Sequence, residues 1–313
     1  MRCYRYMDFK YGLQSFETGL FKVTKPNDFN DPYDCYGLVT GELRKDVFEE
    51  HVRTNFNRLC EGYDKASDIP ADVFSSPEKM IEWYGPRFGK LAHEQMLYRR
   101  IYDEKIRVLC LVGKDGLTPE SDALMWSHYA HGGHGVRIEL EIQEEGPGVA
   151  YGLRHVKYQD EVPHLDLSKV NHWPDEELYP AFFSDCIWTK GRTWAYENEV
   201  RLICSPEYPI KVVSAVKCDD GVVRDFGGFS RSTIKGLVFG PKVRPEIWID
   251  HYTQYCKMGL DDGVVFERAV LETDRYCYGY ENLEKSMRQV FDELMDWRKK
   301  HPGRGVKSGK ECP

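Results

Sequence analysis

Glu197 and Glu199 stand two residues apart in Trp194-Ala195-Tyr196-Glu197-Asn198-Glu199-Val200-Arg201-Leu202, and Arg201 follows at the same interval. On an extended segment, residues at that spacing share one face. This predicts a carboxylate pair and a guanidinium gathered at the mouth of a sheet. The plainer reading of the same spacing is a surface ladder in which Glu199 and Arg201 pair across strands. Tyr4-Arg5-Tyr6 is a second candidate: Arg5, on the face opposite both tyrosines, is either an edge charge or a rigid fork for phosphate or carboxylate. His128, His131 and His134 form a third. Neutral imidazoles bind zinc or iron, but here their spacing crosses a helix end and Gly132-Gly133, with no H-E-x-x-H pattern. Trp126 and Tyr129 beside them suit anchoring in a core, and no metal is expected. In Phe29-Asn30-Asp31-Pro32-Tyr33-Asp34, the Asn and Asp side chains can bond nearby amides while Phe29 and Tyr33 pack inward.

Strands and helices must position these groups. Alternation predicts strands at 20–24 and 135–142 and a buried-type apolar run another at 107–112; further strands are read at 3–6 and 199–204 and near 152–158, 210–216, 234–239 and 264–270. A helical stretch runs through Tyr11, Leu13 and Phe16 until Gly19 breaks it. Charged amphipathic helices fit 44–63 and 77–105, joined by a loop over 64–77; Phe48, Val52, Phe56 and Leu59 share one face. Ser121 can cap a short helix through Trp126 and Tyr129, and 245–258 and 283–297 complete the helices. The elements mix without a regular βαβ rhythm. That predicts an α+β fold of mainly antiparallel sheet with packed helices: a single domain over 1–297 with a helical insertion at about 44–105. Neither common nucleotide-binding loop, G-x-G-x-x-G or G-x-x-x-x-G-K-[ST], occurs.

The formal charge of −8 disfavours broad attachment to nucleic acid. One local exception is 298–313, which reads as a basic flexible tail with six Lys or Arg from Arg298 to Lys310. The ten cysteines stand singly without a C-x-x-C pair, several inside apolar runs, so thiols are expected rather than disulfides or a zinc site. No apolar run reaches the roughly 18 residues of a membrane helix. The segment from Met1 lacks an apolar signal region, so a cytoplasmic protein without membrane attachment is expected.

Taken together, Tyr4-Arg5-Tyr6, Phe29 to Asp34, Trp126 to Ala130 with Gly135, and Trp194 to Arg201 resemble the pattern of a widespread bacterial domain-of-unknown-function family (DUF twenty-nine seventy-one). The match spans roughly the first two thirds of the chain. That family's order in turn resembles the ADP-ribosyltransferase superfamily: a basic residue on strand one, a polar residue on strand two, and Glu-x-Glu late. The resemblance implies an ADP-ribosyltransferase-like fold acting on NAD, by transfer or hydrolysis. The acceptor would be a protein or nucleic acid, in the setting of a toxin or antiphage effector. Carried over, Arg5 contacts the NAD ribose and phosphate, Thr24 supplies the second-strand hydroxyl, Glu199 is the catalytic carboxylate, and Glu197 orients the acceptor. Tyr6, Asn30, Asp31, Trp126, His128 and Tyr129 would shape the nucleotide pocket. Lys22-Val23-Thr24-Lys25 departs from the Ser-Thr-Ser of the arginine-specific branch, and a long helical insertion follows it. Breaking the nicotinamide–ribose bond makes an oxocarbenium-like centre that a carboxylate stabilises, while arginine holds pyrophosphate and an aromatic ring stacks on nicotinamide. On this view Arg5, Thr24 and Glu199 converge in one cleft. Two other readings stay open: a non-catalytic nucleotide- or protein-binding module of a bacterial defence system, and a metal-assisted hydrolase using His128, His131 and His134.

Overall fold

The structure, a computed structural model, describes residues 1–61, 69–86, 106–143, 152–171, 178–204, 212–218 and 221–288. The expected tail over 298–313, the helix beyond 288 and the insertion over 87–105 lie outside them. The strands are β1 (Arg2–Met7), β2 (Leu20–Val23), β3 (Leu38–Thr40), β4 (Arg107–Gly113), β5 (Val136–Glu141), β6 (Leu153–His155), β7 (Lys157–Gln159) and β8 (His164–Asp166). Then come β9 (Thr189–Gly191), β10 (Glu199–Cys204), β11 (Val212–Lys217), β12 (Val223–Gly228), β13 (Ile234–Phe239), β14 (Val265–Leu271) and β15 (Tyr278–Asn282). The helices are α1 (Phe9–Thr18), α2 (Lys45–Glu61), α3 (helical over 77–86), α4 (Pro119–Tyr129), α5 (Leu178–Trp188), α6 (Pro245–Lys257) and α7 (helical over 283–288). No described helix is long and apolar enough to cross a membrane.

The chain divides into two compact units. Met1–Leu20, Val112–Ile142 and Phe229–Pro313 form the first, and Phe21–Leu111 with Gln143–Gly228 the second. In the first, β1 pairs antiparallel with β5 from Arg2↔Glu141 to Met7↔Val136, and with the end of β4 at Tyr4↔Val112. Next to β5 come β13, β14 and β15, in the order β15-β14-β13-β5-β1-β4. Among the described pairings of this large, mostly antiparallel sheet, β13 and β14 run parallel, and α6 makes the crossover that a parallel pair needs. Phe16 packs against Tyr255 and Phe266 at ring distances of 5.0 and 5.7 Å. The cap of α4 is Thr118, not Ser121: Thr118 Oγ1 accepts from the Ser121 amide, and Pro119 opens the helix. After α4 the chain turns through Gly132 and Gly133, at φ 61° and 90°, into β5. A Cβ at Gly135 would lie 2.0 Å from the Met7 carbonyl oxygen, so only glycine lets β5 begin this close to the end of β1.

The second unit holds β4-β10-β6, a three-stranded sheet β11-β12-β2, and two short parallel pairs, β3 with β8 and β7 with β9. Thr24 extends beyond β2 to a double backbone bridge with Val108. Arg107 pairs with Asp225, tying β4 to β12. The apolar face predicted for the 44–63 helix is real: Phe48 and Val52 of α2 are buried with Val39, Leu165, Leu167, Phe182 and Cys186, and Phe56 and Leu59 pack against that core. α5 contributes Phe182, Phe183 and Cys186 to it, an element the sequence reading did not include.

Candidate functional site

The helix α5 runs directly into β9, then a 3-10 turn over Arg192–Glu197, then β10. Glu197 ends the turn and Glu199 opens the strand, so the two do not lie along one extended segment. Between them Asn198 is left-handed (φ 43°, ψ 48°), a conformation that Asn adopts more readily than most residues. The bend turns both carboxylates onto one lysine. Lys190 Nζ donates to Glu197 Oε2 at 2.6 Å and to Glu199 Oε2 at 3.0 Å, and lies 3.5 Å from Asp34 Oδ2. Arg201 closes the other side. Its Nε donates to Glu199 Oε1 at 2.8 Å, its Nη2 to Asp34 Oδ1 at 2.6 Å, and its Nη1 to the Ile187 carbonyl at 2.6 Å. Tyr158 is the ladder partner of Lys190 across β7 and β9, and its hydroxyl accepts the Glu199 amide N–H at 2.7 Å.

This cluster is sealed. Arg201 is 0% exposed, Glu199 3% and Glu197 4%. A surface ladder is therefore not what the spacing encodes. Burial alone would raise the Glu199 carboxyl, but the Arg201 and Lys190 charges outweigh it and bring it from 4.5 to about 2. Burial likewise opposes the Lys190 and Arg201 charges. Glu199 and Glu197, then Asp34, hold the lysine protonated, and Glu199 and Asp34 do the same for the arginine. The Cys35 thiol, 3.4 Å from Arg201 Nη1, is pushed up by burial and stays protonated despite the arginine. A carboxylate ionised down to about pH 2 is a poor proton carrier near neutrality, where general acid–base work needs a matched pKa. The arrangement suits fixed negative charge instead.

Asp34 comes from the Phe29–Asp34 turn, so two of the motif segments meet in this cluster. Within that turn Phe29 packs inward, 5.4 Å beneath the Arg201 guanidinium, whereas Tyr33 is 67% exposed and does not pack inward as expected. The Asp31 side chain accepts the Tyr33 amide at 2.9 Å and shapes the turn, and Asn30 is exposed. Thr24 is half-buried and bonds the Val108 backbone in both directions. Arg5 is a half-buried residue of β1 in the first unit, its Cα opposite Ile138. Sequence reasoning missed Lys190. It lies in a three-residue strand with no pattern of its own, and only the tertiary pairing with Tyr158 marks it.

A second buried polar cluster lies in the first unit and takes in Tyr6 and Trp126. Tyr6 and Tyr280 both donate to Asp122, one to each oxygen. Arg137 Nη1 donates to Tyr280 Oη at 2.8 Å and Asp122 Oδ1 at 3.2 Å, and Trp126 Nε1 donates to Tyr280 Oη at 3.1 Å. The guanidinium lies between the Tyr4 and Tyr280 rings, 4.2 and 4.1 Å from their centroids. Tyr6 and Trp126 thus spend their polar atoms on this cluster. His128 is exposed and Tyr129 half-buried at the end of α4. His131 is exposed and faces Asp8 at 3.9 Å, and His134 is 6.1 Å from it between ring centroids. Among the described residues no group of three or more His, Cys, Asp or Glu is arranged to hold a metal ion.

No family model matches the chain, and no curated protein or solved structure matches it either.

Proposed function

We propose that the chain consumes NAD as a protein of the ADP-ribosyltransferase type, with Glu197 and Glu199 as its carboxylate pair. The observation that carries this reading is the convergence of Asp34, Glu197, Glu199 and Arg201, from two separated motif segments, on one cluster that keeps Glu199 ionised. Permanent negative charge is what a developing oxocarbenium centre requires, whereas a group titrating near pH 7 would serve proton transfer. Trp194, half-buried and 5.0 Å from Lys190 Nζ, supplies an aromatic face at the same turn. The test is incubation with labelled NAD, followed by assay of released nicotinamide and of label on protein, RNA and DNA. Release that disappears in Glu197→Gln, with the variant folded by circular dichroism, supports the reading.

A second reading is favoured by a specific feature of the same cluster: both Glu199 oxygens are already bonded to cations at 3% exposure. A carboxylate so occupied suits a non-catalytic nucleotide- or protein-binding module, in which the cluster fixes the local fold. NAD bound without turnover, or not bound at all, selects this reading.

A further inference from the structure

Five ionisable side chains of the second unit share one buried volume. Asp34, Glu197 and Glu199 supply three negative charges, and Lys190 and Arg201 supply two positive ones. Lys190 is the only member of the five in contact with all three carboxylates among the described contacts, at 2.6, 3.0 and 3.5 Å. Arg201 reaches Glu199 and Asp34. Glu197 pairs with Lys190 at the shortest of these distances. The backbone is bent on both sides of the lysine to make this possible. Cys35, next to Asp34, and Asn198, between the glutamates, are two of three non-glycine residues at positive φ among the described residues, at 58° and 43°. Such conformations persist where the surrounding structure over-determines them.

We propose that Lys190 is the positioning residue of this cluster: its ammonium bridges the Glu197, Glu199 and Asp34 carboxylates and aims the two glutamates at one point. Its bearing on NAD chemistry rests on the reading above, but the charge arrangement itself does not. The groups facing Lys190 are Glu197, Glu199, Asp34, the Tyr158 hydroxyl and the Trp194 ring; Arg201, Cys35 and Cys110 face the carboxylates from the other side. None of the others can replace a lost cation. With the ammonium gone, three buried carboxylates face one guanidinium, and like charges held this close cannot all stay ionised.

The experiment is a carboxylate NMR titration of protein carrying carbon-13 at the Asp and Glu side-chain carboxyls, comparing wild type, Lys190→Met, Lys190→Arg and the double variant Lys190→Met/Glu197→Gln. In Lys190→Met at least one cluster carboxylate should titrate about 2 pH units or more above its wild-type midpoint. Lys190→Arg should move the titration back towards wild type, and the double variant, which removes one charge of each sign, should lose most of the shift. A Lys190→Met titration indistinguishable from wild type overturns the proposal. If Lys190→Met does not fold, recovery of a folded protein in the double variant supports charge balance, and failure of both overturns it. A merely space-filling lysine would be replaced by methionine without moving any titration. Because no step involves NAD, an inactive wild-type protein sinks the enzymatic reading and leaves this one standing or falling by itself.

Discussion

Glu199 holds its proton only below about pH 2 in the folded chain, against 4.5 for an ordinary glutamate. The depressed value fixes the sign. Stabilisation from this group is complete above about pH 4.5, and drains away as pH falls towards about 2. The gap corresponds to a few kcal/mol, about 3 at face value. Glu199→Gln should therefore lower stability at pH 7 by roughly 2–4 kcal/mol and flatten the loss between about pH 4.5 and about pH 2. Urea denaturation at a series of pH values measures both, and an equally steep acid limb in the variant would disprove the assignment. Arg201→Ala should cost more, roughly 3–5 kcal/mol, because it strips Glu199 and Asp34 of a cation at once. The residues of this site were half legible in the sequence. Glu197, Glu199 and Arg201 announce themselves by spacing, but their geometry depends on Asn198, whose left-handed bend no alternation rule anticipates. Asp34 and Lys190 join them only through tertiary pairing.

At the level of elements, the Asp122–Arg137–Tyr280 cluster joins α4, β5, β15 and, through Tyr6, β1. Tyr280→Phe deprives Asp122 of a donor and Arg137 and Trp126 of an acceptor. A loss of roughly 1–3 kcal/mol is expected by thermal or urea unfolding. Tyr6→Phe and Tyr280→Phe should also couple in a double-mutant cycle, since both hydroxyls donate to the same carboxylate. The glycines after α4 should separate cleanly. At Gly135 an alanine methyl overlaps the Met7 and Ala130 carbonyls, a clash with backbone that should cost about 3 kcal/mol or more. Gly132→Ala meets nothing within 4 Å and carries only the left-handed penalty of about 1–2 kcal/mol. Long alternating strands such as β5, β10 and β13 were readable, as was α1 with its Gly19 stop. The β3–β8 and β7–β9 pairs were not, because three residues carry no usable period and parallel partners are distant in sequence. α5 escaped because Leu178–Trp188 is apolar on nearly every side, so no amphipathic stripe marks it.

Across the whole molecule, the nine described cysteines stand as thiols, four of them buried: Cys3, Cys35, Cys186 and Cys204. Dithiothreitol should leave the melting temperature unchanged, and a thiol reagent should reach those four only as the protein opens. The mixed α+β class with dominant antiparallel pairing followed from the absence of a βαβ rhythm. The division into two units did not follow from it, because each unit is assembled from segments that local sequence cannot connect. That interleaving has a consequence for biosynthesis. Met7 finds its partner Val136 only when 129 further residues have been made, a wait of roughly 6 to 26 s at ribosomal speed. β13, β14 and β15 emerge later still, after Gly228, the last residue of the second unit. Along its β5 side, β1 thus spends that interval as a nascent edge with open backbone donors and acceptors, the kind of surface that other unfinished chains can capture.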